Sequence, residues 1–301
     1  MTASHCVWLS DRGVVAVTGP DASTFLQSLI TNDMGALDSQ TALHTGLLSP
    51  QGKILFDFFV VKAADGFRLD VAREHAAALV KRLSMYKLRA AVAISNISDT
   101  THVLAVWGGE PYCFDSQPTT YAFQDPRLAA MGLRILADSA FAVDVAKATN
   151  GMPATEGDYH AHRIGLGVSE GGKDYAFGDA FPHEALFDQL HGVSFSKGCY
   201  VGQEIVSRME HRGTARKRIV HVSGSGPLPA TGTDIMAGGI TIGTLGSVAG
   251  EKGLALLRLD RVSEFAAKGV AITAAEQVLS VTIPTWAAFQ MPTPAADAGP
   301  A

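Results

Sequence analysis

Residues 194–208, SFSKGCYVGQEIVSR, set one cysteine between two glycines, with a lysine just before it and a Gln-Glu pair just after. A thiol so placed, Cys199, could be a nucleophile, a metal ligand, a redox sensor or a small buried side chain. Gly202 and Gly213 enclose QEIVSRMEHR, in which Glu204, Arg208 and Arg212 recur every four residues and would line one helix face. Ile205, Val206 and Met209 would then face the core, and Gly213 would supply a left-handed stop. A helix starting near Gly202 places Cys199 just before its N-terminus. There the positive dipole end, with Lys197 and Arg208, would favour a thiolate. The plainer alternative is a tight turn around an inert thiol. His191 is the nearest upstream histidine and no third group stands out, so a protease-like nucleophile is not indicated.

The other cysteines, Cys6 and Cys113, are far away and the total is odd. Neither a disulfide framework nor a self-contained zinc or cluster site fits, and no metal ligands are assigned. His160 and His162 form the one close histidine pair, which on a strand would share a face. The formal charge is −5, which argues against direct nucleic acid binding. Within residues 197–218, however, six cations oppose two acids, a local balance of +4 that leaves −9 elsewhere. Such a strip suits an anionic small molecule, a short nucleic-acid contact or simply a solvated face.

These residues need a scaffold, and the chain of 301 residues, 47% hydrophobic and 18% charged, can build a sizeable core. GVVAVTG reads as a strand and DASTFLQSLITND as a helix; TALHTGLLS and KILFDFFVVK flank the turn PQG as a hairpin. GFRLDVA is a further strand. REHAAALVKRLSMYKLR is an amphipathic helix whose buried stripe is Ala76, Leu79, Val80, Leu83 and Leu88. AAVAISNIS and HVLAVWG complete an α+β lobe over 1–110. A middle α+β lobe, 111–213, contains a mobile-looking loop near 170–180 and ends in the cysteine segment. Short apolar strands separated by glycines over 214–285 predict an antiparallel β-barrel, and 286–301 reads as a disordered tail. No apolar run reaches about 18 residues, so no membrane span and no membrane partner are expected. The N-terminus lacks a basic start and an apolar core, which points to the cytoplasm.

KGCYVGQE followed by Arg208 resembles the signature K-G-C-[FY]-x-G-Q-E-x-x-x-[KR] of the YgfZ family of folate-binding proteins, and matches it at every specified position. GPDASTFLQSLITND, SPQGKILFDF, YKLR, FPHE and KGCYVGQEIVSRMEHRGTARKR also resemble family segments in order, over roughly residues 7–285. The resemblance implies a T-protein-like, multi-lobed α+β arrangement around a central opening with a C-terminal antiparallel β-barrel. It implies tetrahydrofolate, or a one-carbon-substituted folate, as cofactor. The implied function is as an accessory factor in iron–sulfur cluster assembly or repair, supporting cluster enzymes that include a tRNA-modifying one. Partners would be the assembly machinery or recipient cluster enzymes.

Carried over by position, Cys199 is the candidate catalytic residue, with Lys197, Gly198, Tyr200, Gly202, Gln203, Glu204 and Arg208 as the signature around it. Asn32, Asp33, Gln51, Arg163 and Glu184 are candidate folate contacts; each has a structural alternative as a turn, helix end or ion pair. The basic strip would pair with folate's glutamate carboxylates. Two rival functions stand beside this one. The first, a folate-dependent aminomethyltransferase, requires a catalytic carboxylate that cannot be located here. The second, a tRNA-binding module, would be built on the basic strip, in which Tyr200 is the sole ring besides the histidines.

Overall fold

Runs of β-branched and aromatic residues set the strands, and their pairing sorts the chain into two units. The computed structural model describes residues 3–109, 120–213 and 215–293. Met1–Tyr159 and Leu190–Ile205 make the first unit; His160–Gln189 and Val206–Ala301 make the second. The segment 111–213 therefore contributes to both units, and Cys113 lies outside the described residues.

The first unit runs β1 (His5–Trp8), β2 (Arg12–Thr18), α1 (Ala22–Gln27), β3 (Ala42–Leu48), β4 (Ile54–Ala63), β5 (Gly66–Ala72), α2 (Arg73–Tyr86), β6 (Ala93–Asn96) and β7 (Thr101–Trp107). It continues with β8 (Thr120–Gln124), β9 (Leu133–Asp138), α3 (Ala142–Ala148) and β10 (Met152–Pro153). One antiparallel sheet has the order β3-β4-β5-β2-β6; the other, β10-β1-β7-β9-β8, is antiparallel except for the β1–β10 pair. Ala76, Leu79 and Leu83 of α2 pack on Val15, Val17, Phe58 and Leu69 of the first sheet, as the helical period requires. Leu88 does not join them. The helix ends at Tyr86, Ala90 N–H turns back to Lys87 O, and Leu88 is left 90% exposed with φ 43°. α1 is also shorter than its apolar period suggests. Its exit is turned by Ser28, whose hydroxyl bonds Phe25 O, and Ile30 then bridges to Leu47.

Buried charge ties the two sheets together. Asp70 on β5, wholly buried, accepts from Arg12 Nε at 2.7 Å and from Arg134 Nε of β9 at 2.8 Å. Arg134 also donates to Tyr159 Oη at 2.7 Å, and Arg127 pairs bidentately with buried Asp125. The Arg12, Arg127 and Arg134 guanidinium groups lie 5.9, 4.8 and 4.6 Å from the centre of the Phe59 ring. Three cations thus share carboxylates and one aromatic ring, which offsets their desolvation.

In the second unit, β11 (Lys217–Ser223), β12 (Asp234–Ala237), β13 (Ile240–Ala249), β14 (Lys252–Arg258), β15 (Ile272–Ala274), β16 (Gln277–Val278) and β17 (Ser280–Thr282) form one antiparallel sheet. Its order is β16-β15-β12-β13-β14-β11-β17, so the two edge strands are separated in the chain by Leu279 alone. The sheet is a near-closed barrel with Val220, Val222, Ile235, Leu245 and Leu257 inside. The chain passes between the units three times: within the helices α4 (Glu156–Leu166) and α5 (Gln203–Arg212), and between Gln189 and Leu190. His160 and His162 sit on α4, where a spacing of two points them apart; His160 Nδ1 instead accepts from Arg163 Nε. The segment near 170–180, expected to be mobile, is pinned. Asp174, buried there, receives Arg163 Nη1 at 2.7 Å and the backbone N–H groups of Glu170 and Ser247 at 2.8 Å. Residues 286–289 are likewise held: Trp286 Nε1 donates to Leu166 O, Ala288 N to Gln189 Oε1, and Phe289 lies under Arg218. The remainder of the expected tail from 294 onward lies outside the described residues.

Replacing Asp70 with Asn removes the shared counterion of two buried arginines and is expected to cost about 3–5 kcal/mol in urea unfolding. The same change at Asp99, whose pair with Arg73 is open to solvent, is expected to cost under about 1 kcal/mol.

Candidate functional site

The cysteine stretch has no regular structure until α5, yet it is laced to one segment of the first unit. Thr31, fully buried, donates its hydroxyl to Gly192 O at 2.6 Å, and its own carbonyl accepts from Ser194 N–H. Asn32 Nδ2 donates to both His44 O and His191 O. Lys197 completes the attachment. Its Nζ donates to Gln27 O, Ile30 O and Asn32 O at 2.7, 2.8 and 2.8 Å. These carbonyls lie at and beyond the C-terminus of α1, where no intrahelical donor reaches them and a cation is favoured. Burial lowers the Lys197 ammonium to about 8, partly countered by Asp33. Its charge is met by backbone carbonyls.

The sulfur is left exposed. Lys197 and Tyr200 point inward, 5.2 Å apart from ammonium to ring centre, while Gly198 and Cys199 face solvent. Burial pushes the Tyr200 phenol up to about 12. The following turn fits only glycine. Gly202 has φ +83°, and a Cβ there would stand 2.5 Å from Ser49 O and 3.0 Å from Gly52 Cα. The PQG turn and the cysteine signature thus meet back to back. Past it, α5 starts at Gln203 as the spacing predicts, with Val206 buried, Glu204 and Arg208 exposed, and Gly213 left-handed at φ 57°.

The same stretch walls a cavity of about 760 Å³ within the first unit. His191, Val193, Ser194, Phe195 and Ser196 line it opposite Asn32, His44, Gln124 and Asp125. Burial, with Arg127 adding to it, pushes His44 down to about 4, so the ring is neutral near pH 7. Its Nδ1 lies 3.0 Å from Leu190 O and must carry the proton, which makes Nε2 the acceptor nitrogen. Burial alone would raise the Asp125 carboxyl; Arg127 and then Arg134 reverse this and hold it below the usual carboxylate range.

Of the five candidate folate contacts, Asn32 alone lines this cavity. Its amide hydrogens are both committed, and its Oδ1 accepts from Asp33 N–H. Asp33 caps the short helix Met34–Asp38 by accepting from Gly35 N–H. Gln51 is exposed in its turn. Arg163 and Glu184 belong to the second unit: Arg163 is 1% exposed and bonded to Val168 O, Asp174 and Ser247, and Glu184 accepts from Phe181 N–H. Arg163 thus makes the buried ion pair that was its structural alternative, while the Glu184 carboxylate is engaged by a backbone N–H. Of the expected basic strip, Lys197 is buried and Arg218 is paired to Asp188 at 2.9 Å, whereas Arg208, Arg216 and Lys217 are exposed. His44, Gln124, Asp125 and Phe195 were missed. The available signal was a histidine in a strand otherwise unbroken in apolar and small residues, ALHTGLL.

Comparison with known proteins fits this geometry. Residues 7–111 match the family described as the GCVT N-terminal domain, and residues 216–289 match the CAF17 C-terminal beta-barrel domain. The mouse mitochondrial iron-sulfur cluster assembly factor IBA57 is 35% identical over 93% of this chain and 85% of its own length; the human protein is 32% identical over the same shares. The chain belongs to the CAF17/IBA57 family. A homolog from Mycosarcoma maydis is 38% identical over 70% of this chain, which spans only 55% of that relative. Among solved structures, the glycine cleavage system aminomethyltransferase T of Bartonella henselae superposes with TM-score 0.76 at 17% identity, over 95% of this chain and 86% of that one. The T-protein-like fold is thereby shown. The YgfZ resemblance stands within the same family, although the relatives carry the IBA57 name. Every one of these relatives is described as mitochondrial, which overturns the expected cytoplasmic location and points to the mitochondrion.

Lys197→Met strips three backbone carbonyls of this donor, and is expected to destabilise the chain by about 2–4 kcal/mol and to speed proteolysis near Ser196. His44 gives a pH signature. Its folded value is depressed, so its contribution is fully present above about pH 6.5 and is lost as pH falls toward about 4, up to about 3 kcal/mol. Urea unfolding at pH 7 and pH 4.5 checks this, and His44→Gln is expected to shallow the difference.

Proposed function

We propose that this IBA57-family chain is a tetrahydrofolate-binding accessory protein of iron–sulfur cluster assembly, with Cys199 presented to a cluster or to a partner that carries one. The relatives are named as iron-sulfur cluster assembly factors, which supports the pathway. The observation that carries the coupling is that one stretch does both jobs: residues 191–196 wall the cavity and residue 199, three positions on, offers an exposed thiol.

The cavity suits a flat, polar-edged ligand. Its volume lies within the range of small-molecule sites. Phe195, 46% exposed, offers a ring face for stacking. Gln124 donates its amide hydrogens to Ala129 O and Gly132 O, and so keeps its amide oxygen for an incoming amino group. His44 contributes an acceptor nitrogen. These residues would hold the pteridine and supply shape and hydrogen bonds, while the folate would bring any one-carbon chemistry. Binding without turnover is favoured over aminomethyl transfer. Among the described residues lining the cavity the one carboxylate is Asp125, and Arg127 already engages both its oxygens. Delivery of the cluster is assigned to a partner or recipient enzyme, because one exposed thiol cannot complete a cluster ligand set alone.

Folate titration of the purified chain, followed by tryptophan fluorescence, is expected to saturate, and Phe195→Ala to weaken binding about tenfold. Cys199→Ala is expected to keep folate affinity but to lose support of cluster-enzyme activity in cells. No saturable binding by the native chain would remove the ligand claim, and full activity with the alanine variant would remove the role of the thiol. Formation of methylene-folate from an aminomethyl donor would establish the transferase instead.

A further inference from the structure

The turn that ends α2 is not among the residues lining the cavity. Lys81, Arg82, Lys87 and Arg89 place four positive charges within nine residues that contain no acid. Among the described residues, none of the four makes an ion pair or a side-chain hydrogen bond. The other arginines of the first unit all face carboxylates: Arg12 and Arg134 at Asp70, Arg68 at Asp65, Arg73 at Asp99 and Arg127 at Asp125. Two apolar side chains project from this basic frame, Met85 at 63% and Leu88 at 90% exposure. Leu88 also holds φ 43°, a conformation that glycine adopts freely and leucine rarely does. A leucine held in this way so that it reaches into water gains nothing from folding, which is the pattern of strain kept for function.

Unpaired cations around projecting apolar tips match the chemistry of an anionic bilayer surface. The cations meet headgroup phosphates while Met and Leu enter the acyl boundary. An acidic protein would have to shape a pocket for each apolar tip, whereas a bilayer accepts both without one. We propose that the turn after α2, with Met85 and Leu88 flanked by Lys81, Arg82, Lys87 and Arg89, docks the chain peripherally on anionic lipid. No described helix is long and apolar enough to cross a membrane; the contact is with the surface, and it departs from the sequence-based expectation of no membrane partner.

Sedimentation of the full chain with vesicles of equal parts phosphatidylcholine and phosphatidylglycerol tests this, with pure phosphatidylcholine vesicles as control. The native chain is expected to pellet with the anionic vesicles alone, and less so as salt rises. Leu88→Gly removes the side chain and relieves the backbone, so the thermal midpoint is expected to hold or rise while vesicle affinity falls about tenfold. Lys87→Glu with Arg89→Glu is expected to lower affinity about a hundredfold. A native chain that stays in the supernatant overturns the proposal and leaves an acidic protein as occupant. Undiminished binding by Leu88→Gly overturns the apolar anchor and reduces the contact to charge attraction, and equal binding to neutral vesicles overturns the role of the cations.

Discussion

One buried ammonium decides where the cysteine stands. Lys197 brings a charge into a place where charge is costly, and three backbone carbonyls at the end of α1 make that tolerable. In return, a stretch with no helix or strand of its own is fixed against the first unit at a defined register. Thr31 and Asn32 add the neutral bonds that set its direction. Both the wall of the cavity and the outward turn of the sulfur follow from that attachment. Gly202 against Ser49 and Gly52 completes it, because no side chain could stand between the two turns.

The cavity's electrostatics follow from the braced sheets behind it. Arginines that share Asp70, Asp125 and the face of Phe59 leave little unbalanced charge beside the opening. A histidine kept neutral there acts as a hydrogen-bonding group and not as a cation. The polar edges of the cavity are fixed, and its acidic group is already occupied.

Strands and the start of α5 were legible because their signal is local. An unbroken apolar run such as KILFDFFVV, or a four-residue charge repeat closed by glycine, needs no distant partner to be interpreted. Leu88 defeated the same logic, since the helical period continues on paper past the residue where the backbone turns. Arg163 failed for another reason: a lone arginine before glycines has the same appearance whether it meets a ligand or a buried carboxylate eleven residues on. Lys197 was recognised as part of a signature, but its anchoring bonds were not foreseen, because its carbonyl partners lie 165 to 170 residues away. His44 and Leu190 are separated by 146. Pairings at such range leave no periodicity behind.

The barrel carries a consequence for how the chain matures. β11 needs β17 as a neighbour, with His221 opposite Thr282, and the two sheet edges are brought together across Leu279. Until Thr282 has left the ribosome, β11 has a bare hydrogen-bonding rim, and the oily interior of the sheet has one side open. Synthesis therefore passes through an interval in which this segment is vulnerable to pairing with other chains. The long loop closure needed to end that interval makes it a slow one.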